Sequence, residues 1–515
     1  MKKKFSLSNG AFFVLAWVIF LMGNLPFAYP QDATRSRTVV TQDGADGSSS
    51  QNSSAEGRTS GVEAPLEGAG LPAGRSEEDQ TGAPPLGEFK KPMGTILDPE
   101  NFKNKFVMKR YSQLALGPNY TLVLTARGTV WGWGYNINGN LGLGKFSNSE
   151  PSPVKLPVLK DIVEIGAGLM HACALTKGQD VYCWGHNELG QLGTASPLNA
   201  ANSLPSKVPI DGIKNISVGS FLSCALSANY DYASSQSGEV FCWGDNGAGE
   251  LGIQVNKSPS ANTYNYPVKS NMYGIVSMTA GQSHTCELID PNATQSTQAY
   301  NPTEALALPI CFGENTYGQL GTGSTQTGNL QDSTWVKTFS EGKLHQMSAG
   351  AAHTCALTTK DNSGLVYCWG LNDYGQLGNL TTENSSVPTQ VKLTVTQPLV
   401  GIKEVRARTA HTCAVTDKGT AYCWGGNSAG QLGDGTKIDH HSPVQVMLSP
   451  SVPLTGVKTL GIGDFHTCAI VSIDPNKDDK IYCWGSNWKG QLGLGAGAQS
   501  SSYPVEVKMP IELAE

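Results

Sequence analysis

Twelve cysteines and nine histidines stand in a pattern that could do chemistry. In HTCAVTDKGTAYCWGGNSAGQLG, from His411 to Gly433, two cysteines lie ten residues apart beside a histidine and a tryptophan. Cys and His bind zinc and run thiol redox chemistry near neutral pH, so a single such stretch would point to a metal or redox site. The stretch is not single. It returns as HACALTKGQDVYCWGHNELGQLG from His171, and in related form from Cys224, His284, His353 and His466. A weaker first copy, YTLVLTARGTVWGWGYNINGNLGLG, begins at Tyr120. The seven copies are anchored at Trp133, Trp184, Trp243, Phe312, Trp369, Trp424 and Trp484, with spacings of 51 to 69 residues, in the range of a propeller blade or solenoid unit.

The cysteines fall two per unit in six units: Cys173 and Cys183, Cys224 and Cys242, Cys286 and Cys311, Cys355 and Cys368, Cys413 and Cys423, Cys468 and Cys483. The first unit has neither, carrying Leu122 and Gly132 in their places. Joint presence and joint absence are what a covalent pair predicts, since a lone partner would be an unpaired thiol. The separation within a pair varies from 10 to 25 residues. A zinc knuckle or a redox CxxC needs short, constant spacing, whereas a bridge between facing strands tolerates any intervening loop. Six disulfides within units are therefore expected, with zinc and free buried thiols as the alternatives.

The histidines read as scaffolding. His171, His284, His353, His411 and His466 share one position, which Tyr120 and Leu222 fill in the other two units. A catalytic histidine occurs once, beside a unique partner. There is no nucleophile elbow, no phosphate loop between strand and helix, and no HExxH, so no catalytic residue, no cofactor and no metal is expected. Asp474, Asn476 and Asp478 occupy positions 1, 3 and 5 of a calcium-type loop, but Asp479 stands where that loop turns on Gly and Gly485 where it needs a bidentate Glu. That segment reads as a solvated loop.

Positioning these residues falls to short strands. Runs such as DIVEIGAG, HACALT and DVYCWG are apolar or alternating over five to eight residues and are separated by Gly and Asn turns. No stretch of the repeats keeps a helical apolar period. The expected fold is all-β: a seven-bladed β-propeller over residues 101–515, four antiparallel strands to a blade. YPVEVKMPIELAE, Tyr503 to Glu515, resembles a fourth strand and FVMKRYSQLALG, Phe106 to Gly117, a first strand. Closure of the ring by pairing of N- and C-terminal strands in one blade is expected from this, because an open ring leaves two unpaired edges.

Ahead of the repeats, residues 1–28 combine Lys2, Lys3 and Lys4 with an apolar run and a small residue at Ala28, as in a signal peptide. The apolar segment 11–29 is also just long enough to serve as an uncleaved N-terminal membrane anchor or tether. Either implies an exported chain, at the periplasm, cell surface or outside the cell, where disulfides persist. Residues 29–100 are rich in Gly, Ser, Pro and acidic side chains and read as a disordered linker. Residues 31–100 hold 6 basic and 12 acidic side chains, which leaves 27 basic against 30 acidic in the propeller. A nearly neutral body without a Lys/Arg cluster argues against nucleic acid as a partner.

The repeat AGxxHTCALTxxGxVYCWGxNxxGQLG resembles the regulator of chromosome condensation family, in the form carried by exported bacterial proteins of the tubulin-suppressor-like group. The resemblance covers about four fifths of the chain and implies a seven-bladed propeller. The best-known members of that family exchange guanine nucleotides on a small nuclear GTPase, and a secreted bacterial member inhibits β-lactamases through one propeller face. Here the export signal and paired cysteines disfavour nucleotide exchange. The expected function is a monomeric, disulfide-stapled module that binds a protein or envelope macromolecule; a structural envelope protein and a lyase- or glycosidase-like propeller enzyme are the alternatives. The connections between paired cysteines are longest in the third and fourth repeats and carry Tyr230, Tyr232 and Tyr300 as aromatic anchors. They must emerge on one face, which is expected to hold the partner. The opposite face, with the shorter GxNxxGQLG turns, is the rival.

Overall fold

Strand order follows from burial. In each repeat the second strand is buried almost throughout, as in His171–Thr176, His353–Lys360 and His466–Val471, and its small and apolar side chains do not alternate with charged ones in these blades. A strand covered on both faces needs such a run; a half-solvated one alternates. The fourth strands, such as Asn202–Lys207 and Ser385–Gln390, are only partly buried and lie at the rim. The computed structural model describes residues 113–510, apart from 229–237, 254–261, 271, 273, 291–307, 328–334, 338, 340–342, 362 and 473–478.

Each repeat is one antiparallel meander, and seven of them make the seven blades of a propeller. Blades 1 to 7 run over residues 113–155, 162–207, 213–269, 275–313, 343–390, 402–445 and 457–507. In blade 4 the bridge between Ile310 and Trp335 stands where the others carry a fourth strand. A small hairpin, Met447–Ser449 with Val452–Pro453, links blades 6 and 7. The first strands of successive blades touch all the way round, from Gln113–Leu116 through to Val457–Ile462 and back, so they line the axis and the ring is closed.

Closure differs from the expectation. Gln113–Leu116 pairs with Tyr120–Leu124 inside blade 1, and Ser501–Val507 pairs with Lys480–Gly485 inside blade 7. No blade among the described residues mixes strands from the two ends. Blade 7 instead meets blade 1 through side chains: Leu114, Leu116 and Trp133 pack with Cys468, Ile470 and Leu492. Seven apolar clusters, one at each seam between neighbouring blades, take the place of a single core.

The structure joins the six cysteine pairs named above, each across the second and third strands of its own blade with Cα atoms 4.0 to 4.1 Å apart. All twelve are buried. In blade 1, Leu122 faces Gly132 at the same register, and a Cβ on Gly132 would lie 2.9 Å from a Leu122 methyl. A large and a small side chain there fill the volume of a bridge. Peptide mapping without reduction is expected to return six links confined to single blades; a link between blades contradicts the register. Replacing both Cys413 and Cys423 by Ala is expected to cost about 2–4 kcal/mol of stability, read by denaturant titration.

Candidate functional site

The repeated polar residues build the frame on which any site must sit. The Asn of the GxN turn takes the amide of the Leu five residues on, and this bond occurs in all seven blades, from Asn136 with Leu141 to Asn487 with Leu492, at 2.9 to 3.1 Å. The turn thereby holds the carbonyl of the next-to-last polar residue, usually Gln, toward the following blade. There it accepts an indole N–H: Trp133 onto Gln491 at 2.8 Å, Trp184 onto Asn140 at 3.0 Å, Trp243 onto Gln191 and Trp369 onto Gln319 at 2.9 Å. Trp424 and Trp484 repeat the bond onto Gln376 and Gln431. The glycine after Gln-Leu is required by this approach: at Gly193, whose φ is +65°, a Cβ would lie 2.6 Å from the Trp243 indole nitrogen.

Five of these carbonyls also accept a hydroxyl from the next blade. Thr121, Ser223, Thr354, Thr412 and Thr467 donate to Gln491, Gln191, Gln319, Gln376 and Gln431. Each hydroxyl lies 2.9 to 3.1 Å from Nε2 of the repeated histidine one blade back: His466, His171, His284, His353 and His411 in turn. Because the hydroxyl hydrogen is already given to the carbonyl, Nε2 must carry the proton and donate. The rings are therefore neutral Nε2–H tautomers, and among the described residues their Nδ1 atoms have no partner. Burial, the leading cause in each, holds His171, His353, His411 and His466 down to about 3 and His284 to about 4. None is poised for acid–base work near neutral pH. Tyr120, in the same position of blade 1, donates instead to the carbonyls of His171 and Gly168.

The axis carries a residue that breaks the repeat. Where the other six blades have Gly, blade 6 has Arg408. Its guanidinium donates to Asp464 of blade 7 at 3.2 Å and to the carbonyls of Ala167 and Gly168 in blade 2 at 3.3 Å. Blade 2 lies three blades away round the ring, so the side chain crosses the axis. Neither charged side chain of the Arg408–Asp464 pair is more than 15 % exposed. The substitution is visible in the sequence at AGxxH, but its reach is not.

The turns joining first to second and third to fourth strands emerge on one face; the connections between cysteines and between blades emerge on the other. On the first face Trp488 is 69 % exposed, and Ile137, at the same turn position of the neighbouring blade, is 47 % exposed. Lys489 Nζ lies 5.7 Å over the Tyr135 ring between these two blades. Blades 3 to 5 put Asp245, Glu314 and Asp373 on the same face; burial first, then Asp373 and Glu314, raises the Tyr317 phenol. Tyr230, Tyr232 and Tyr300, the Asp474, Asn476 and Asp478 triad, and segments 1–28 and 29–100 lie outside the described residues. Asp479 is described and pairs with Lys458 at 2.6 Å. Among the described residues no group of three or more His, Cys, Asp or Glu could hold a metal ion.

Burial also raises Glu164, Glu250 and Glu287 to about 8. The two sets oppose each other in linkage. Histidines depressed on folding stabilise the fold above their unfolded value of 6.5, and that contribution is lost as pH falls toward 3. Carboxyls raised on folding stabilise it below 4.5, and theirs is lost as pH rises toward 8. The balance puts maximal stability at about pH 6, with a decline on both sides, checked by urea titration across the range. Thr412→Val, which strands the His353 N–H, is expected to cost about 1–3 kcal/mol in the same assay.

Models of the regulator of chromosome condensation (RCC1) repeat match residues 127–175, 179–226, 237–288, 310–357, 363–415, 418–470 and 478–513. The chain is similar to the ultraviolet-B receptor UVR8 of Arabidopsis thaliana, 28 % identical over 388 residues that cover 74 % of this chain and 78 % of that one. It is 27 % identical over 413 residues to the mouse E3 ubiquitin-protein ligase HERC2, covering 78 % of this chain but only 8 % of the ligase. Yeast RCC1 (Prp20), solved bound to Kap60, superposes with a TM-score of 0.58 at 21 % identity, over 79 % of this chain and 87 % of that one. With its repeats matched from residue 127 to residue 513, the chain belongs to the RCC1 repeat family.

Proposed function

We propose that the protein is an exported, monomeric propeller that binds another protein through one face of the ring. The observation that carries this reading is Trp488. The six anchor tryptophans are wholly buried, whereas this one stands 69 % exposed on a braced turn of the blade that neighbours the one carrying exposed Ile137. A large aromatic held out on a rigid frame costs little ordering on docking and is the side chain most often found at the centre of binding energy. Prp20, of the same fold, is a protein bound by Kap60. Export is supported by the six buried cysteine pairs, which need an oxidising compartment, together with the basic and apolar start of the chain.

Binding is favoured over catalysis by what fills the axis. A propeller enzyme of the lyase or glycosidase kind would need carboxylates or a Tyr/His pair converging on an open channel. Arg408 crosses that space, committed to Asp464 and two carbonyls, and the repeated histidines are committed to the seams.

A second reading places the partner on the long-loop face, and the length of the connections 228–239 and 290–307 favours it. Capture from the native cell envelope distinguishes the two. Trp488→Ala is expected to reduce retention of the captured protein by at least about tenfold, the loss of one central aromatic anchor. Retention unchanged by Trp488→Ala but lost when the loops of blades 3 and 4 are shortened between their cysteines assigns the other face; retention unchanged by both rejects face binding. Export is checked by N-terminal sequencing of protein from the native host. A mature start near Tyr29 is expected, and a start at Met1 indicates the uncleaved anchor.

A further inference from the structure

The seven seams are not equal. At six of them the turn carbonyl of one blade is taken by an indole N–H of the next. Between blades 3 and 4 the histidine and the tryptophan of that system are lost together. Leu222 stands where a histidine would donate, and Phe312 where a tryptophan would. Thr285 keeps its place, but among the described residues its hydroxyl has no hydrogen-bond partner. Two residues along the same strand face, Glu287 replaces the Ala or Val of the other blades. Its counterpart Ala225 packs into the seam toward Cys173 and Cys183, so Glu287 sits in the seam toward blade 3. It is 1 % exposed, its neighbours in register are Met278 and Ile310, and Oε2 has no partner among the described residues. Among the described residues an apolar cluster and three bonds remain: Ser220 N–H to the Gly281 carbonyl at 3.0 Å, Ala280 N–H to Ser217 Oγ at 2.9 Å, and Ile275 N–H to the Gly238 carbonyl at 3.2 Å, which has counterparts at other seams.

We propose that the ring opens at the seam between blades 3 and 4, ahead of any other pair. Buried hydroxyl and carboxyl groups without partners raise the energy of the closed seam, and both gain water when it parts. The far arc cannot follow, because Arg408 ties blade 6 to blades 7 and 2. The disulfides do not resist opening, since each lies within one blade. The seam also lies between the two longest connections from a second to a third strand, 228–239 and 290–307, so parting it changes the distance between their roots.

Equivalent amides cross successive seams and report on each: Ala280 onto Ser217, Ala349 onto Thr279 and Ala407 onto Ser348. In the oxidised full chain, hydrogen exchange at Ala280 is expected to be about tenfold faster than at Ala349 and Ala407, the effect of about two missing hydrogen bonds. Leu222→His with Phe312→Trp is expected to slow Ala280 to the rate of the other two, and Glu287→Ala to slow it as well. His353→Leu with Trp424→Phe transplants the bare pattern to the seam between blades 5 and 6 and is expected to speed Ala407 instead. Equal protection of all three amides in the unaltered protein overturns the proposal, as does a folded Leu222→His, Phe312→Trp protein with unchanged exchange at Ala280. Should that double variant fail to fold, the unaltered comparison and the transplant still decide: a transplant that leaves Ala407 as slow as before is equally fatal.

Discussion

A backbone carbonyl at the end of each GxNxxGQLG turn holds this molecule in register. At six of the seven seams it accepts an indole N–H and at five a hydroxyl from the next blade, and the repeated Asn, Gly and His serve to aim it or to complete its partners. Asn fixes the turn by bonding the Leu amide, and glycine lets the indole come close. The histidine one blade back completes the hydroxyl and is forced into a single tautomer. Each of these bonds contributes modestly against water, but leaving one unmade inside a dry seam costs more. The seam between blades 1 and 2 keeps the indole bond while Ala172 and Tyr120 replace the hydroxyl and the histidine, and only the seam between blades 3 and 4 has lost the indole and the histidine together.

Covalent and noncovalent tasks are divided. Disulfides pin second to third strand inside blades 2 to 7, and none spans a seam. The seams rest on apolar contact and the carbonyl system. A blade is thereby a unit that holds its own register, and the ring is a sum of neighbouring contacts, as expected of repeat architectures. Closure without strand exchange follows the same logic. The meeting of blades 7 and 1 uses Trp133, Thr121 and Gln491 as four of the internal seams use their counterparts, so no special device is required at the ends.

Departures from the repeat are the informative residues, because the repeat itself is spent on the frame. Arg408 replaces a glycine and spans the axis. Leu222 and Phe312 remove the histidine and indole donors from one seam and Glu287 puts a carboxyl into it, and Trp488 exposes an indole at a turn position where blade 1 has Ile137 and the other blades place small, polar or acidic side chains. The frame makes such substitutions tolerable: a turn already fixed by Asn487 and Gln491 can carry any side chain at position 488.

The amino-acid sequence by itself determined the number of blades, the cysteine partners and the structural use of the histidines. Those are properties of a local pattern, and seven copies of the pattern report on it independently: Leu122 and Gly132 missing together, or Tyr120 and Leu222 standing in for His, is legible without coordinates. The closing arrangement was not. A first strand near residue 113 and a fourth near 507 are compatible with one shared blade or two complete ones, and only the pairing of Gln113–Leu116 with Tyr120–Leu124 decides between them. The Arg408 crossing and the companionship of Leu222, Thr285, Phe312 and Glu287 were equally hidden, because they join residues that are tens to hundreds of positions apart. Local pattern specifies a blade; which side chains meet across the axis and along a seam depends on ring curvature and blade order, and those exist only once all seven units have packed.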